Sequence, residues 1–355
     1  MRAGLRKAPG AGTNGAMARA LLAALAFLLA ACGRAPDARA PFLESRTPPS
    51  LAGRFYPPEG WAWGLVRPGD FPAQRYGVGS PPIVPRAEVL IVPGYGESAE
   101  TWFETANDLI ARGATVWVLD RAGQGGSERF AAPRDVVHAP SFAPDAAAIR
   151  AVREVVIRAR PERPFLILAS ADGAVAAMRA LETGLAADGL ILSAPRLAPP
   201  GPAAPLQALA VRVGLGHLPA PGRRRWTRNG PDGVALGLTH DRGRGGVTDA
   251  WRLANPDLRV SGPSLAWTAG YAAASRAAVR DAPALRMPVL MLLPDSGQAP
   301  LQALCRRLPK CESRTIAGAR PALHLEQDSA RKVWLEAVAG RIRSLSPLGP
   351  APGFP

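Results

Sequence analysis

Residues 165–181 read FLILASADGAVAAMRAL. The apolar run Phe165 to Leu168 has the length and continuity of a strand buried on both faces of a parallel sheet. Small residues follow, then an Ala-rich helical run. Strand, sharp turn and helix therefore succeed one another almost without a linker. A turn this sharp needs small residues two before and two after its tip. Ala169 and Gly173 hold those places, and Ala171 holds the tip. The one side chain such a turn displays is here a methyl group, which can neither attack nor carry a proton.

Outward from this stretch, apolar runs alternate with helical ones. Trp61 to Arg67 and Gln74 to Gly79 read as an edge hairpin, and Glu88 to Val92 as the next strand. A helix follows over Ala99 to Ala111, then a strand over Thr115 to Leu119. Ala146 to Arg158 carries Ile149, Val152, Val155 and Val156 on one helical stripe. Beyond the central stretch come a strand at Gly189 to Leu192, another at Val289 to Leu293, and a helix at Leu301 to Leu308. A strand at Ser313 to Ile316 and a helix at Ser329 to Ile342 close the pattern. This alternation predicts an α/β fold: a mostly parallel central sheet with helices on both faces. The core is expected over residues 56–195 and 282–344. Between them, residues 196–281 are dense in Pro and Gly, with helical stretches at Leu206 to Val213 and Ser264 to Val279. That is too long for a plain loop and reads as an inserted helical lid. Residues 345–355 form a Pro-rich tail that is expected to be disordered.

The chain has 355 residues and a formal net charge of +15. Lys7, Lys310 and Lys332 are its only lysines, so arginine supplies nearly all the positive charge. An anionic membrane surface, nucleic acid or a genome-wide Arg bias would each account for this. No basic helix with interleaved aromatics and no zinc-knuckle spacing occurs, so nucleic acid ranks last. No cofactor and no metal is expected. Arg2, Arg6, Lys7 and Arg19 precede an apolar run, Ala20 to Ala31, that is short for a membrane span. Residues 1–31 are read as a signal peptide, with a transmembrane anchor as the alternative; Met17 offers a second start. The ending Leu29-Ala30-Ala31-Cys32 resembles a bacterial lipoprotein lipobox, which implies lipid on Cys32. Gly33 after the cysteine, by resemblance to Gram-negative sorting, implies an outer-membrane anchor facing the periplasm. Residues 32–55 would then be a tether. Cys305 and Cys311 remain as an even pair, either a disulfide or two free thiols.

Five motifs, in order, resemble the α/β-hydrolase family, in its lysophospholipase and monoacylglycerol lipase branch. The resemblance covers roughly Trp61 to Ile342. VLIVPGYGES (89–98) resembles the oxyanion loop, with Pro93 where the family has His. DRAGQGGSER (120–129) resembles the DxRGHGxS turn, with Ala122 and Gln124 as departures. DGLILSAPRL (188–197) matches the strand into the lid, and ANPDLRVSGPSLAWT (254–268) resembles the lid's end. GARPALHLEQD (318–328) resembles the turn that carries the family's catalytic histidine. The central stretch matches the G-x-S-x-G elbow, whose Ser is the nucleophile.

Transferred place by place, the catalytic set is missing. The nucleophile place is Ala171, the acid place after Val289 to Leu293 is Gly297, and the histidine place is Pro321. The chain has four histidines: His138, His217, His240 and His324. The one substitute triad that can be written joins Ser170 and His324 with Asp295 or Asp172. A triad needs base and nucleophile within about 2.6–3.2 Å. Ser170 precedes the tip, so its side chain is expected to point away, and ordinary polar roles are the simpler account. The oxyanion hole is made of backbone N–H groups, which the resemblance places at Tyr95 and Asp172. The Asp172 carboxylate beside the hole should disfavour an anion there. Three readings remain open: an inactive hydrolase fold that binds a lipid, an acyl ligand or a partner; an active ester hydrolase with a rearranged triad; and a purely structural envelope lipoprotein, which the absence of a pocket beneath the lid would favour.

Overall fold

Strands that lack polar positions can pair only in the middle of a sheet, and this rule orders the molecule. The computed structural model describes residues 40–130, 135–158, 160–197, 204–222 and 225–346. The strands are β1 (Ala62–Val66), β2 (Gln74–Gly79), β3 (Ala87–Val92), β4 (Ala114–Leu119), β5 (Phe165–Ser170), β6 (Gly189–Ser193), β7 (Val289–Leu293) and β8 (Cys311–Thr315). They form one sheet in the order β1-β2-β4-β3-β5-β6-β7-β8. β1 and β2 pair antiparallel, as does β2 with β4, and every other pairing is parallel. The fully buried runs β3, β5, β6 and β7 are the central strands. The edge strands β1 and β8 are mostly exposed or half-buried.

Side chains on each central strand alternate between two cores, as the period of two requires. Leu90, Ile167 and Leu190 join one cluster. Val89, Ile91, Leu166 and Leu168 join the other. Helix α1 (Phe103–Ala111) follows β3; α2 (Ala143–Ala151) precedes β5, and α3 (Gly173–Glu182) follows it. The expected helix from Ala146 begins earlier, because Pro144 is tolerated in a first helical turn. It continues as a π-helical turn over Val152–Ile157.

Residues between β6 and β7 form helices α4 (Ala204–Arg212), α5 (Arg242–Gly245), α6 (Val247–Ala254) and α7 (Leu265–Asp281). Ser264 caps α7 by accepting the Trp267 N–H at 3.1 Å. The long α7 packs on both α3 and α4. Of the three adjacent arginines 223–225, Arg225 is exposed and the other two lie outside the described residues. After β7 come α8 (Ala299–Cys305) and the closing helix α9 (Asp328–Leu345). A disulfide joins Cys305 to Cys311, with Cα atoms 5.4 Å apart.

The segment before β1, expected as a tether, lies against the domain from residue 42 onward. Arg75 is buried among Asp120, Glu100 and the Leu43 carbonyl, and Ser45 hydrogen-bonds Glu100. The Asn255 side chain accepts the Arg46 N–H at 2.7 Å and donates to the Arg46 carbonyl at 2.9 Å. Phe55 packs with Phe103, Val247, Trp251 and Leu258 in a third small core. Composition signalled a linker, but these specific partners pin it. The leader, Cys32 and most of the carboxyl tail (347–355) lie outside the described residues.

Candidate functional site

β5 runs into the elbow at Ala171, whose φ of +46° places an alanine in the left-handed region. That conformation is costly for a residue with a Cβ. Backbone bonds hold it: the Ala171 N–H donates to the Ser193 carbonyl at 3.0 Å, and the Ala171 carbonyl accepts from Arg196 N–H at 2.9 Å. Only glycine fits at residue 173, where a Cβ would stand 2.5 Å from the Val92 and Pro93 carbonyl oxygens. A Cβ at Gly94 would meet the Ala171 methyl at 2.9 Å. The elbow is thus built to display one side chain at close quarters, and that side chain is CH₃.

The oxyanion loop lies beside it. The Tyr95 N–H, one of the two expected donors, donates a hydrogen bond to Asp172 Oδ1 at 2.7 Å. A carboxylate of the chain itself occupies the direction in which an oxyanion would sit. The other Asp172 oxygen accepts from Arg121 Nη1. Arg121 also binds Asp145 through Nε at 3.1 Å, and Asp145 takes the Ala122 N–H at 2.7 Å. Burial opposes the charge on Arg121, but the carboxylates of Asp172 and Asp145 outweigh it and raise the guanidinium's pKa. Asp172 is therefore fixed by a buried ion network and is not a free swinging acid.

Glu97 reaches under the same loop. Its Oε2 accepts the Gly94 N–H at 2.7 Å and Trp102 Nε1 at 3.1 Å. Burial pushes its carboxyl up to about 7, against those two bonds, with the neighbouring Asp172 charge adding to the shift. His324 stacks on Trp102 with ring centroids 3.8 Å apart. Its Nε2 is 3.8 Å from Glu97 Oε1, outside hydrogen-bond reach. Neither ring nitrogen has a hydrogen-bond partner. Burial, helped by Arg331, lowers its pKa to about 3, so the ring is neutral at ordinary pH.

The substitute triad is not assembled. Ser170 is buried and has no bond to His324, whose nitrogens are unpaired. Asp295 is exposed on the turn after β7. Its backbone N–H binds the Ala319 carbonyl at 3.0 Å, and no bond joins it to His324. Asp172 is committed to Tyr95 and Arg121. Gly297, at the acid place, is exposed with φ of +72° and open space around it. Pro321 lines the cavity wall. Of the other histidines, His138 bonds the Ser264 hydroxyl at 3.0 Å, His217 the Gly214 carbonyl at 3.2 Å, and His240 bonds Glu326 at 3.0 Å. Among the described residues no cluster of His, Cys, Asp and Glu has a metal-binding arrangement.

A cavity of about 370 Å³ opens above the elbow. Its floor includes Glu97, Ser170, Ala171 and Asp172, and the β6–β7 insertion supplies much of its wall. The insertion is fastened to the oxyanion loop at two points. Tyr95 Oη donates to the Ser261 carbonyl at 2.7 Å, and Arg252 Nη2 donates to the Gly96 carbonyl at 2.6 Å. Glu97, Arg121 and Arg252 were not singled out from sequence. The first two sit inside recognised motifs, but nothing local marks Arg252.

Residues 84–328 match the family described as Hydrolase_4, serine aminopeptidase, S33. Lysophospholipase L2 of Escherichia coli is 28% identical over 277 residues, covering 70% of this chain and 78% of that protein. The fold is shared with a soluble variant of monoglyceride lipase from Saccharomyces cerevisiae, solved with a substrate analogue. That match has a TM-score of 0.61 and 14% identity, over 88% of this chain and 98% of the other. Monoacylglycerol lipase of Paleococcus ferrophilus matches with a TM-score of 0.59 and 18% identity, over 76% and 98%.

Proposed function

The chain belongs to the Hydrolase_4 family of α/β-hydrolases, in its lysophospholipase- and monoglyceride-lipase-like branch, and from that premise we propose that it binds a lipid or acyl ligand without hydrolysing it. The observation that carries this reading is the elbow: a strained φ is kept at Ala171, yet the displayed group is a methyl. Removing the nucleophile of a working serine hydrolase costs about 10⁶-fold in kcat. Here the acid and base places are empty as well, and Asp172 takes the Tyr95 donor that a tetrahedral oxyanion would need. What remains is a walled cavity, with the β6–β7 insertion acting as its lid. The named activities of the relatives, on lysophospholipids and monoglycerides, make a single-chain lipid the natural occupant.

The test has two arms. A fluorophosphonate probe should leave the protein unlabelled, and mass spectrometry of the purified protein should show co-purifying lipid. A rearranged triad is the rival, since Ser170 also faces the cavity. Turnover of a monoacylglycerol that Ser170→Ala or His324→Ala abolishes would establish the rival and remove this reading. The envelope location belongs to the same proposal and rests on the lipobox-like Leu29 to Cys32. Radiolabelled palmitate should enter the wild type and not Cys32→Ser; equal labelling would refute the anchor.

A further inference from the structure

Burying a charge is costly unless the charge is paired and hydrogen-bonded. Arg252 on α6 is half-buried at the cavity wall, its side chain 15% exposed. Its partners are few. Nη2 donates to the Gly96 carbonyl at 2.6 Å, and Nη1 stands 3.6 Å from Asp249 Oδ1, a long ion pair to a carboxylate that is 29% exposed. Burial lowers the Arg252 pKa, and Asp249 offsets this only in part. Asp249 is itself disfavoured as an anion by its own burial. The guanidinium is thus under-neutralised, and it faces a space large enough for a ligand.

The rest of the lining has the same sign. Arg196 and Arg225 are exposed at the cavity and form no ion pair among the described residues. Of the three acids that line it, Asp172 is neutralised by Arg121, and Glu97 holds its proton up to about pH 7. The remaining wall is largely apolar, including Leu236, Leu238, Val260, Ala322 and Leu325. Meanwhile the oxyanion hole is closed to anions by Asp172. A negative head therefore has no place on the elbow, but it has one above the oxyanion loop, at Arg252.

We infer that Arg252 holds the ligand's head, and that the ligand is a single-chain amphiphile whose head is an anion, a carboxylate or a phosphate. This rests on the lipid-binding reading above and adds the ligand's charge and orientation. The volume, about 370 Å³, lies near the lower end of the range of about 300–1,000 Å³ for small-molecule pockets. The head sits under the insertion rather than at the elbow, where a hydrolase would hold its ester.

The test is binding of oleate, a lysophosphatidate and neutral monoolein at pH 6, where Glu97 keeps its proton, below their aggregation limits, by displacement of a fluorescent fatty-acid analogue. Arg252→Gln should weaken oleate or lysophosphatidate by roughly 10- to 100-fold, the scale of a lost charge-assisted hydrogen bond. Monoolein should be unaffected. Because Arg252 also fastens the insertion, Asp249→Asn serves as the second variant. It frees Arg252 and should tighten the anionic lipid several-fold, again sparing monoolein. Oleate alone would identify a carboxylate site, lysophosphatidate alone a phosphate site, and binding of both a site that reads charge only. If Asp249→Asn leaves the anionic lipids unchanged while wild type binds them and monoolein alike, the inference fails and the lipid reading stands. If wild type binds none of the three, the lipid reading fails with it.

Discussion

The Tyr95 amide and the Asp172 carboxylate are joined at 2.7 Å, across the place where a serine hydrolase of this fold would stabilise its oxyanion. The acid is held from behind by Arg121, and Arg121 by Asp145. The Tyr95 amide is thereby tied into a buried ion network.

Asp172→Ala tests this directly. It leaves the Tyr95 N–H without its acceptor and Arg121 with one carboxylate, deep in the protein. Breaking one partner of a buried pair costs about 3–5 kcal/mol. Asp172→Asn keeps an acceptor for Tyr95 and loses only the charge, so it should fall between wild type and the alanine variant. Urea unfolding should rank the three in that order; an alanine variant with the wild-type midpoint would show that the network carries no stability.

Glu97 and His324 set a pH signature. Unfolded, they titrate near 4.5 and 6.5; folded, near about 7 and about 3. The raised Glu97 favours the folded state below pH 4.5, and that contribution is lost as pH rises toward 7. The depressed His324 favours it above 6.5, and that contribution is lost as pH falls toward 3. Between 4.5 and 6.5 the pair carries one proton in either state, on Glu97 when folded and on His324 when unfolded. Their combined effect is therefore flat there and unfavourable on either side. Glu97→Gln keeps an acceptor for Gly94 and Trp102 and removes the carboxyl. Its stability relative to wild type should climb from pH 4.5 to 7, by on the order of 3 kcal/mol at most. A difference independent of pH would mean that Glu97 titrates normally.

Much of this architecture was legible in residues 165–181, because a strand, a sharp turn and a helix with no linker leave few ways to fold. The turn at Ala171 was legible too, since the small residues around it mark where the chain bends. The Asp172–Tyr95 contact was half legible: the acid was placed beside the hole, but not its acceptance of the hole's own N–H. Glu97 and Arg252 were not singled out, and His324 was read only as a substitute base, not as the buried partner of Trp102 and Glu97. Their properties come from burial and from partners 156 residues away, as between Arg252 and Gly96, and no local pattern encodes either. The segment at 42–55 was misread as loose because its composition is that of a linker, while its order comes from Arg75, Asn255 and Trp251.

The Cys305–Cys311 bridge closes a short loop between α8 and the edge strand β8. By loop-closure entropy such a bridge is worth about 2 kcal/mol. Replacing both cysteines by alanine should lower the unfolding free energy by that amount and leave the cavity's binding unchanged. An unaltered unfolding curve, with or without reductant, would show that the bridge contributes nothing in solution.

The last prediction concerns repair. Ala171→Ser puts a hydroxyl at the elbow, in a backbone already bent to display it. A serine is a weak nucleophile until a neighbouring base takes its proton. The base place is Pro321, which cannot titrate, and the acid place is Gly297, on an exposed turn. His324 cannot substitute, because it is buried and stacked on Trp102, and its ring nitrogens bond neither the elbow nor any orienting carboxylate. Asp172 cannot either, because both its oxygens are already bonded. It also fills the oxyanion direction, so an attack that did occur would develop charge against a carboxylate. The single mutant should therefore stay at background on short-chain esters. Adding Gly297→Asp and Pro321→His supplies the missing groups but leaves Asp172 in place, so their gain should remain small. A fourth change, Asp172→Asn, should raise activity further if the closed hole is the residual block. Activity of Ala171→Ser alone, well above wild type and removed by a fluorophosphonate, would show that a base is already within reach and that the site is one substitution from catalysis.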